Sequence, residues 1–240
     1  MRWGCVRATA FAAALCLVAA AGARAGDGGS AHYLIFSGGD IWRNGGFLHG
    51  GLLWSPDGLD RDGFTLKGLI SGGSYRYMSG ALGNAEVIGR ELTAQLLAGW
   101  RFIRGKTEFK LFAGLDMQDH RLSPDDPSSR LRGGDTGLRV AFDLWSEPTP
   151  LTMLAADGSI STIVNSYSAR IAGGWRFNER FWLGPEAQHF ASDGYKQTRF
   201  GIHVTGFHTG DFEWSAAGGF ARDSDARTGA YVRLGVSIRR

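Results

Sequence analysis

Hydrophobic and polar residues alternate with a period of two along most of the chain. Between Ile88 and Phe102 the even-numbered positions are mainly apolar, and the odd-numbered positions are mainly polar or small. The same alternation recurs over 135–144 and 230–239. Successive side chains of a β-strand point to opposite faces, so this period is typical of strands with one apolar face. The pattern predicts an all-β protein.

Turn-forming residues divide the alternating segments into about twelve strands, with 10 to 14 as the range that the pattern allows. The predicted strands cover residues 33–42, 45–54, 63–77, 86–103, 107–120, 133–146, 151–163, 167–177, 180–191, 195–208, 211–222 and 229–239. Alternation alone leaves two architectures open. A soluble sandwich turns its polar faces to water, whereas an antiparallel outer-membrane β-barrel turns its apolar faces to lipid and its polar faces to the lumen.

Two further patterns favour the barrel. An even strand number puts both chain ends on the periplasmic side, and the junctions assigned to the outside, such as 121–132 and 223–228, include the longer ones. Aromatic residues also gather beside the periplasmic junctions, as in an interfacial girdle. The predicted girdle consists of Trp54, Trp100, Phe102, Trp145, Trp175, Phe177, Phe181, Trp182, Phe212 and Trp214. The chain finishes on Arg239-Arg240 and not on an aromatic residue, which keeps a soluble periplasmic sandwich open as the alternative.

The N-terminal segment has the composition of a secretory signal peptide. A basic start is followed by an apolar run over 8–21 and by Ala23-Arg24-Ala25, so we expect cleavage after Ala25 and one domain over 26–240. Cleavage would remove both cysteines, Cys5 and Cys16, and three arginines. The exported chain would then carry 23 basic and 23 acidic residues. This balance gives no electrostatic basis for nucleic-acid binding.

Glycine is unusually abundant, with 37 residues in 240. A hydrophobic share of 43% and an aromatic share of 12% exclude a disordered low-complexity chain. Many of the glycines fall inside predicted strands, where they allow the bends and close backbone contacts of a curved sheet. The composition therefore agrees with a barrel.

Several longer runs carry a family resemblance. The segments 37–47, 50–56, 113–124 and 212–216, together with Gly184-Pro185-Glu186 and the run 203–207, resemble the BcsS family of bacterial cellulose biosynthesis proteins. The resemblance covers nearly the whole exported chain. It implies a role in the production of cellulose or a related exopolysaccharide at the cell envelope. It supplies no catalytic residues.

The sequence predicts no catalytic constellation, no metal site and no cofactor. The best local cluster for a nucleophilic triad is Asp119-His120 with Ser123, but a charged loop capped by turn-forming Asp, Ser and Pro explains those residues better. Glucan contact is the more plausible chemistry, because sugar rings stack on aromatic side chains and nearby polar groups bind the hydroxyls. The candidate contacts are Trp42, Tyr75, Tyr77, Asp119, His120, Tyr195 and Tyr231.

These observations predict a non-catalytic outer-membrane accessory protein of cellulose biosynthesis, export or surface organisation. Its expected partners are outer-membrane lipid and cellulose or components of the cellulose secretion machinery, and not nucleic acid. Two alternatives stay open at this point. One is an envelope enzyme that modifies glucan or lipid through the His120 region, and the other is a periplasmic glucan-binding sandwich.

Overall fold

The computed structural model describes residues 30–240, which form one closed barrel of antiparallel strands. Each strand pairs with its neighbours in chain order, and β1 pairs with β12, so that Leu34 lies opposite both Leu53 and Arg239. The strands are β1 (Tyr33–Trp42), β2 (Gly45–Trp54), β3 (Gly63–Ser79), β4 (Ala85–Arg104), β5 (Thr107–Ser123), β6 (Gly133–Thr149), β7 (Thr152–Ser161), β8 (Tyr167–Phe177), β9 (Phe181–Ser192), β10 (Tyr195–Thr209), β11 (Phe212–Asp223) and β12 (Thr228–Arg239).

The predicted antiparallel barrel of about twelve strands is confirmed. The sandwich alternative is wrong, because the strands of residues 30–240 belong to a single sheet that closes on itself. The predicted signal peptide over 1–25 lies outside the described residues. Within residues 30–240, no helix has the length and apolar character needed to cross a membrane.

The outer face of the barrel carries an apolar belt. Apolar side chains occupy the outward positions of the strands. On β4 these include the exposed Leu92, Leu96 and Trp100, and the most exposed large apolar residue of the barrel is Phe220 at 77%. Exposed apolar surface of this extent would be unfavourable in water and is favourable in lipid. We term the end where residues 30 and 240 lie the periplasmic end and the opposite end the extracellular end.

One side of the barrel is taller than the other. The strands β3 to β6 have 17 to 20 residues, whereas β1, β2 and β7 have 10. A tilted strand needs about 9–11 residues to cross the hydrocarbon region. The surplus on β4 lies beyond Leu92, so the tall side rises above the belt at the extracellular end.

Apolar side chains fill the lumen near the periplasmic end. Leu59 from the connection 55–62 turns inward and packs with Leu53, Leu97, Phe112 and Ala141. A second group on the other side of the lumen contains Met153, Ala155, Ala172 and Trp182. Above these groups the lumen is lined mainly by charged and polar side chains, and it opens into a cavity at the extracellular mouth.

Candidate functional site

A cavity of about 630 Å³ lies at the extracellular mouth of the barrel. Five of the predicted glucan-contact residues line it, and they come from four strands: Trp42, Tyr75, Tyr77, His120 and Tyr195. Phe47 and Phe190 add two further aromatic rings. Strand alternation brings these side chains together, since each of them falls on the inward position of its strand.

Two tyrosine rings of β3 lie side by side in this cavity. Tyr75 and Tyr77 are two residues apart, so both point inward, and their ring centroids are 6.2 Å apart with an interplanar angle of 25°. The His120 ring meets Tyr75 edge-on at 6.2 Å. Phe190 and Tyr195 form another aromatic pair in the cavity wall, with centroids 6.3 Å apart. The pairs provide flat apolar faces in a mouth that also contains charged and polar side chains.

A chain of hydrogen bonds fixes the position of Tyr75 from below. Its hydroxyl lies 3.2 Å from Nδ1 of His120, and Nε2 of His120 lies 3.1 Å from Oε1 of Gln118. Gln118 donates to the fully buried Asp116, which also accepts hydrogen bonds from Arg139 and Ser161. Asp116, Gln118 and His120 lie on one face of β5 because they alternate. His120 thus serves to position an aromatic ring in this arrangement.

Charged groups close the floor of the mouth. Arg199 forms a salt bridge with Asp40 at 2.9 Å, and its guanidinium stacks over the rings of Phe190 and Tyr231. Below it, Glu186 accepts hydrogen bonds from Tyr231, Arg170 and Arg233. We term these seven residues the septum. A second cavity of about 640 Å³ lies on its periplasmic side, lined by both acidic and basic side chains.

The connection 124–132 folds over the mouth. Asp126 is buried and accepts hydrogen bonds from Ser128 and from the Tyr77 hydroxyl on β3. Farther along the connection, the backbone N–H of Arg130 donates to Asp193, in the turn between β9 and β10. The hydrogen bond from the Ser128 hydroxyl, and with it that of Tyr77, lowers the pKa of Asp126 to about 2. The connection is therefore tied to strands on both sides of the opening.

Two of the predicted contact residues lie elsewhere. Asp119 points away from the lumen, on the face of β5 that carries Leu115 and Met117, and forms an exposed pair with Arg121 at 3.3 Å. Asp119 therefore does not line the mouth cavity, because neighbouring residues of a strand face opposite sides. Tyr231 is buried beneath Arg199 and belongs to the septum. Asp119 and His120 are neighbours on β5 and face opposite sides of the sheet, so they do not converge. Ser123 lies on the same outward face as Asp119.

Eight predicted girdle residues stand on the outer face near the periplasmic end: Trp54, Trp100, Phe102, Trp175, Phe177, Phe181, Phe212 and Trp214. The other two point inward. Trp182 is 5% exposed, and Trp145 packs against it with ring centroids 6.5 Å apart. Proximity to a junction predicts the height of a side chain along the barrel. Whether the residue occupies an odd or an even position of its strand decides which face it lies on. Trp145 shares its parity with Asp143 and Arg139, which is a sequence signal for the lumen.

Sequence reasoning missed most of the polar residues around the site. Asp40, Arg199 and Glu186 are central to the septum, and Asp126 fastens the connection over the mouth. Their strand parity predicts that the first three face the lumen. Their partners come from strands distant in sequence, so the pairing could not be read from spacing. Within residues 30–240, no group of three or more His, Cys, Asp or Glu side chains is placed to hold a metal ion.

Comparisons with known proteins agree with this architecture. The model of a family described as cellulose biosynthesis protein BcsS matches residues 34–240. The chain is similar to an outer membrane channel from Pseudomonas putida F1, with a TM-score of 0.58 and 12% identity over 90% of this chain and 100% of that chain. It is also similar to the translocator domain of the autotransporter NalP from Neisseria meningitidis, with a TM-score of 0.50 and 11% identity over 98% and 96% of the two chains. No curated protein matches the chain at a significant level.

The similarity to solved structures concerns the fold, and that fold is the one of outer-membrane barrels. Together with the apolar belt on the outer face, it locates the chain in the outer membrane, as the sequence predicts. Contact with membrane lipid follows from that location.

Proposed function

This chain belongs to the cellulose biosynthesis protein BcsS family, and from that premise we propose that it is a non-catalytic outer-membrane protein that binds glucan at its extracellular mouth. In this role it holds or organises cellulose chains at the cell surface while the polymer is being produced. The proposal rests on one observation above all, the stacked pair of Tyr75 and Tyr77 inside the mouth cavity.

The chemistry of the mouth suits a neutral glucan. The pyranose ring has apolar faces that pack on aromatic rings, and its hydroxyls need hydrogen-bond partners around the rim. The aromatic pairs supply the rings for packing. The hydrogen-bond partners in the same cavity are Asp40, Glu91, Gln188 and Arg139. The volume of about 630 Å³ falls in the range of about 300–1,000 Å³ that is usual for small-ligand sites.

The polar side chains support binding better than catalysis. A hydrolase or transferase of the serine type needs a nucleophile, a base and an acid within hydrogen-bond reach of one another. Asp119 and Ser123 face outward while His120 faces the lumen, and the partners of His120 are Gln118 and Tyr75. His189 and Asp193, with Ser192 between them, offer another Ser-His-Asp combination in the sequence. They are likewise divided, since His189 bonds to Tyr167 and Thr198 while Asp193 bonds to Ser129 and the backbone of Arg130.

The lumen favours a surface role over that of a conduit for the polymer. The septum joins side chains of several strands by ion pairs, and the apolar groups around Leu59 and Trp182 fill the lumen below it. Passage of a glucan chain would break these contacts at two levels. A chain held at the extracellular mouth breaks none of them.

Complementation of a deletion strain tests this proposal. We expect loss of the gene to change cellulose yield or fibre organisation, and Tyr75→Ala/Tyr77→Ala to fail to restore it. Phe200→Ala/Phe220→Ala is the matched control, since it removes two rings that are register partners on the outer face. His120→Gln keeps a hydrogen-bonding side chain without a titratable base and should restore wild-type cellulose yield and fibre organisation.

Each result decides one part of the proposal. An unchanged cellulose phenotype in the deletion strain would overturn the role in cellulose production. Full restoration by the tyrosine variant would overturn the mouth as the site of action. If His120→Gln failed to restore wild-type cellulose production, at an unchanged level of folded barrel, the non-catalytic role would be overturned.

A further inference from the structure

Three arginines form a cluster on the outer face of the tall side of the barrel. Arg90 of β4 and Arg121 of β5 are register partners, and Arg76 of β3 lies diagonally next to Arg90. All three share the parity of exposed apolar residues on their strands, so they face away from the lumen, and all three are exposed. We term Arg76, Arg90 and Arg121 the arginine cluster.

The arginine cluster begins where the apolar belt ends. On β4 the outward positions from Phe102 up to Leu92 are apolar, and the next outward residue is Arg90. Beyond Arg90 only Ile88 is apolar, and Glu86 follows it. At about 3.3 Å per residue and a tilt of about 40°, that apolar stretch rises about 25 Å, which is the height of the hydrocarbon region around such a barrel. The arginines therefore stand at the level of the outer-leaflet headgroups.

The protein itself leaves the charge of this cluster only partly balanced. Arg76 lies 3.5 Å from Glu86 and Arg121 lies 3.3 Å from Asp119, and both pairs are exposed. In the described part of the chain no salt bridge reaches Arg90. Arg90 and Arg121 lie directly opposite each other on neighbouring strands, and like charges in that position are destabilising. An anion placed between them would relieve this repulsion.

We propose that the arginine cluster binds the phosphate of a phosphorylated glycolipid headgroup in the outer leaflet. Guanidinium groups match phosphate oxygens in charge and in their forked geometry. The position directly above the belt places such a phosphate next to the acyl chains that cover Leu92 and Leu96. Arg90 and Arg121 lie outside the mouth cavity, which Arg76 borders at the rim, and the inference does not depend on the glucan proposal.

Thermal unfolding of the purified barrel, followed by heat-modifiable gel migration, tests this inference. The probes are nanodiscs that contain bisphosphorylated lipid A, the same discs with dephosphorylated lipid A, and inorganic phosphate added to phosphate-free discs. We expect phosphorylated lipid A to raise the unfolding midpoint of the wild type. The double variant Arg90→Gln/Arg121→Gln should lose most of that rise, with an at least tenfold weaker dependence on lipid concentration.

Arg222→Gln provides the matched control. Arg222 is an exposed outward residue near the extracellular end of β11 whose register partners are Thr198 and Thr228. This variant should respond to lipid A like the wild type. In discs without phosphorylated lipid, the double variant should be as stable as the wild type or more stable, because the repulsion is gone.

Three results would overturn the inference. An equal rise with dephosphorylated lipid A would show that phosphate is not recognised. An equal rise with inorganic phosphate would show an anion site without a lipid preference. A double variant that keeps the full response to lipid A would place the effect at other residues.

Discussion

Glu186 lies at the centre of the ionic contacts of the septum, where it pairs with Arg170 and Arg233. Its carboxylate is buried and accepts hydrogen bonds from two arginines and a tyrosine that reach it from β8 and β12. A buried ion pair adds little stability by itself, but removal of one member leaves its partners uncompensated. The septum is therefore sensitive to loss of Glu186 in particular.

We expect Glu186→Gln to lower the free energy of unfolding by about 3 kcal/mol, because Arg233 would keep its charge in the lumen without a carboxylate and Arg170 would keep only its pair with Asp157. Urea unfolding in lipid vesicles measures this. Arg61→Gln is the control, since Arg61 and Asp60 form an exposed pair at 3.4 Å that is worth less than about 1 kcal/mol. Equal losses in the two variants would contradict the role given to the septum.

Asp126 gives the connection over the mouth a dependence on pH. Its pKa is lowered to about 2 in the folded barrel and lies at 3.8 without its hydrogen bonds. A carboxylate with a depressed pKa contributes its full stabilisation above the unfolded value and loses it as the pH falls toward the folded value. We therefore expect the connection to stay in place above pH 4 and to be released between about pH 4 and about pH 2.

A nitroxide label at position 127 can follow this release, since Pro127 is exposed and both cysteines of the chain precede residue 30. Electron paramagnetic resonance of a Pro127→Cys variant should show a mobile label only in the acidic range. Adding Asp126→Asn should make the label mobile at every pH. A signal that stays immobile at pH 2 would show that Asp126 does not fasten the connection.

At the scale of strands, β8 and β9 contain an interruption that explains one of the family-like segments. Regular pairing stops between Ala172–Glu186 and Trp175–Leu183. Pro185 lies in this gap and has no backbone N–H to donate. The carbonyl of Gly173 instead accepts a hydrogen bond from Nε2 of His203, at 3.1 Å. The segments around Gly184 and His203 thus form one structural unit.

Gly184 is required at this interruption because a Cβ there would overlap backbone atoms of Gly173 and Gly174. We expect Gly184→Ala to destabilise the barrel by about 1–3 kcal/mol, measured by the midpoint of heat-modifiable migration. Gly68→Ala is the matched control, since a Cβ on Gly68 of β3 meets no atom within 4 Å. A Gly184→Ala barrel as stable as the Gly68→Ala barrel would contradict the close approach of β8 and β9.

The sequence was sufficient for most of the strands because their alternation is strong. The predicted bounds 33–42, 45–54 and 167–177 coincide with those of β1, β2 and β8. The strands β3 and β5 extend farther at the extracellular end, and β6 extends farther at the periplasmic end. The extensions of β3 and β5 rise above the membrane, where alternation of apolar residues is no longer needed. The folding of 124–132 over the mouth had no such signal, since it depends on Tyr77 and Asp193 from distant strands.

At the scale of the whole molecule, the barrel has three functional levels. Apolar groups and the septum fill its lower and middle parts, an aromatic mouth opens outward, and the tall wall of β3 to β6 rises beside that mouth. The composition predicted a curved, membrane-embedded sheet. It could not predict which side chains meet across the lumen, because the partners come from strands distant in sequence.

Glucan binding by the purified barrel is the most direct test of the account. Isothermal titration of cellohexaose into the wild-type barrel should show binding, and Tyr75→Ala/Tyr77→Ala should weaken it at least tenfold, a loss of about 1.4 kcal/mol or more. Phe200→Ala/Phe220→Ala should bind like the wild type. Absence of binding by the wild-type barrel, or equal affinity in the tyrosine variant, would contradict the central claim that the extracellular mouth is a glucan site.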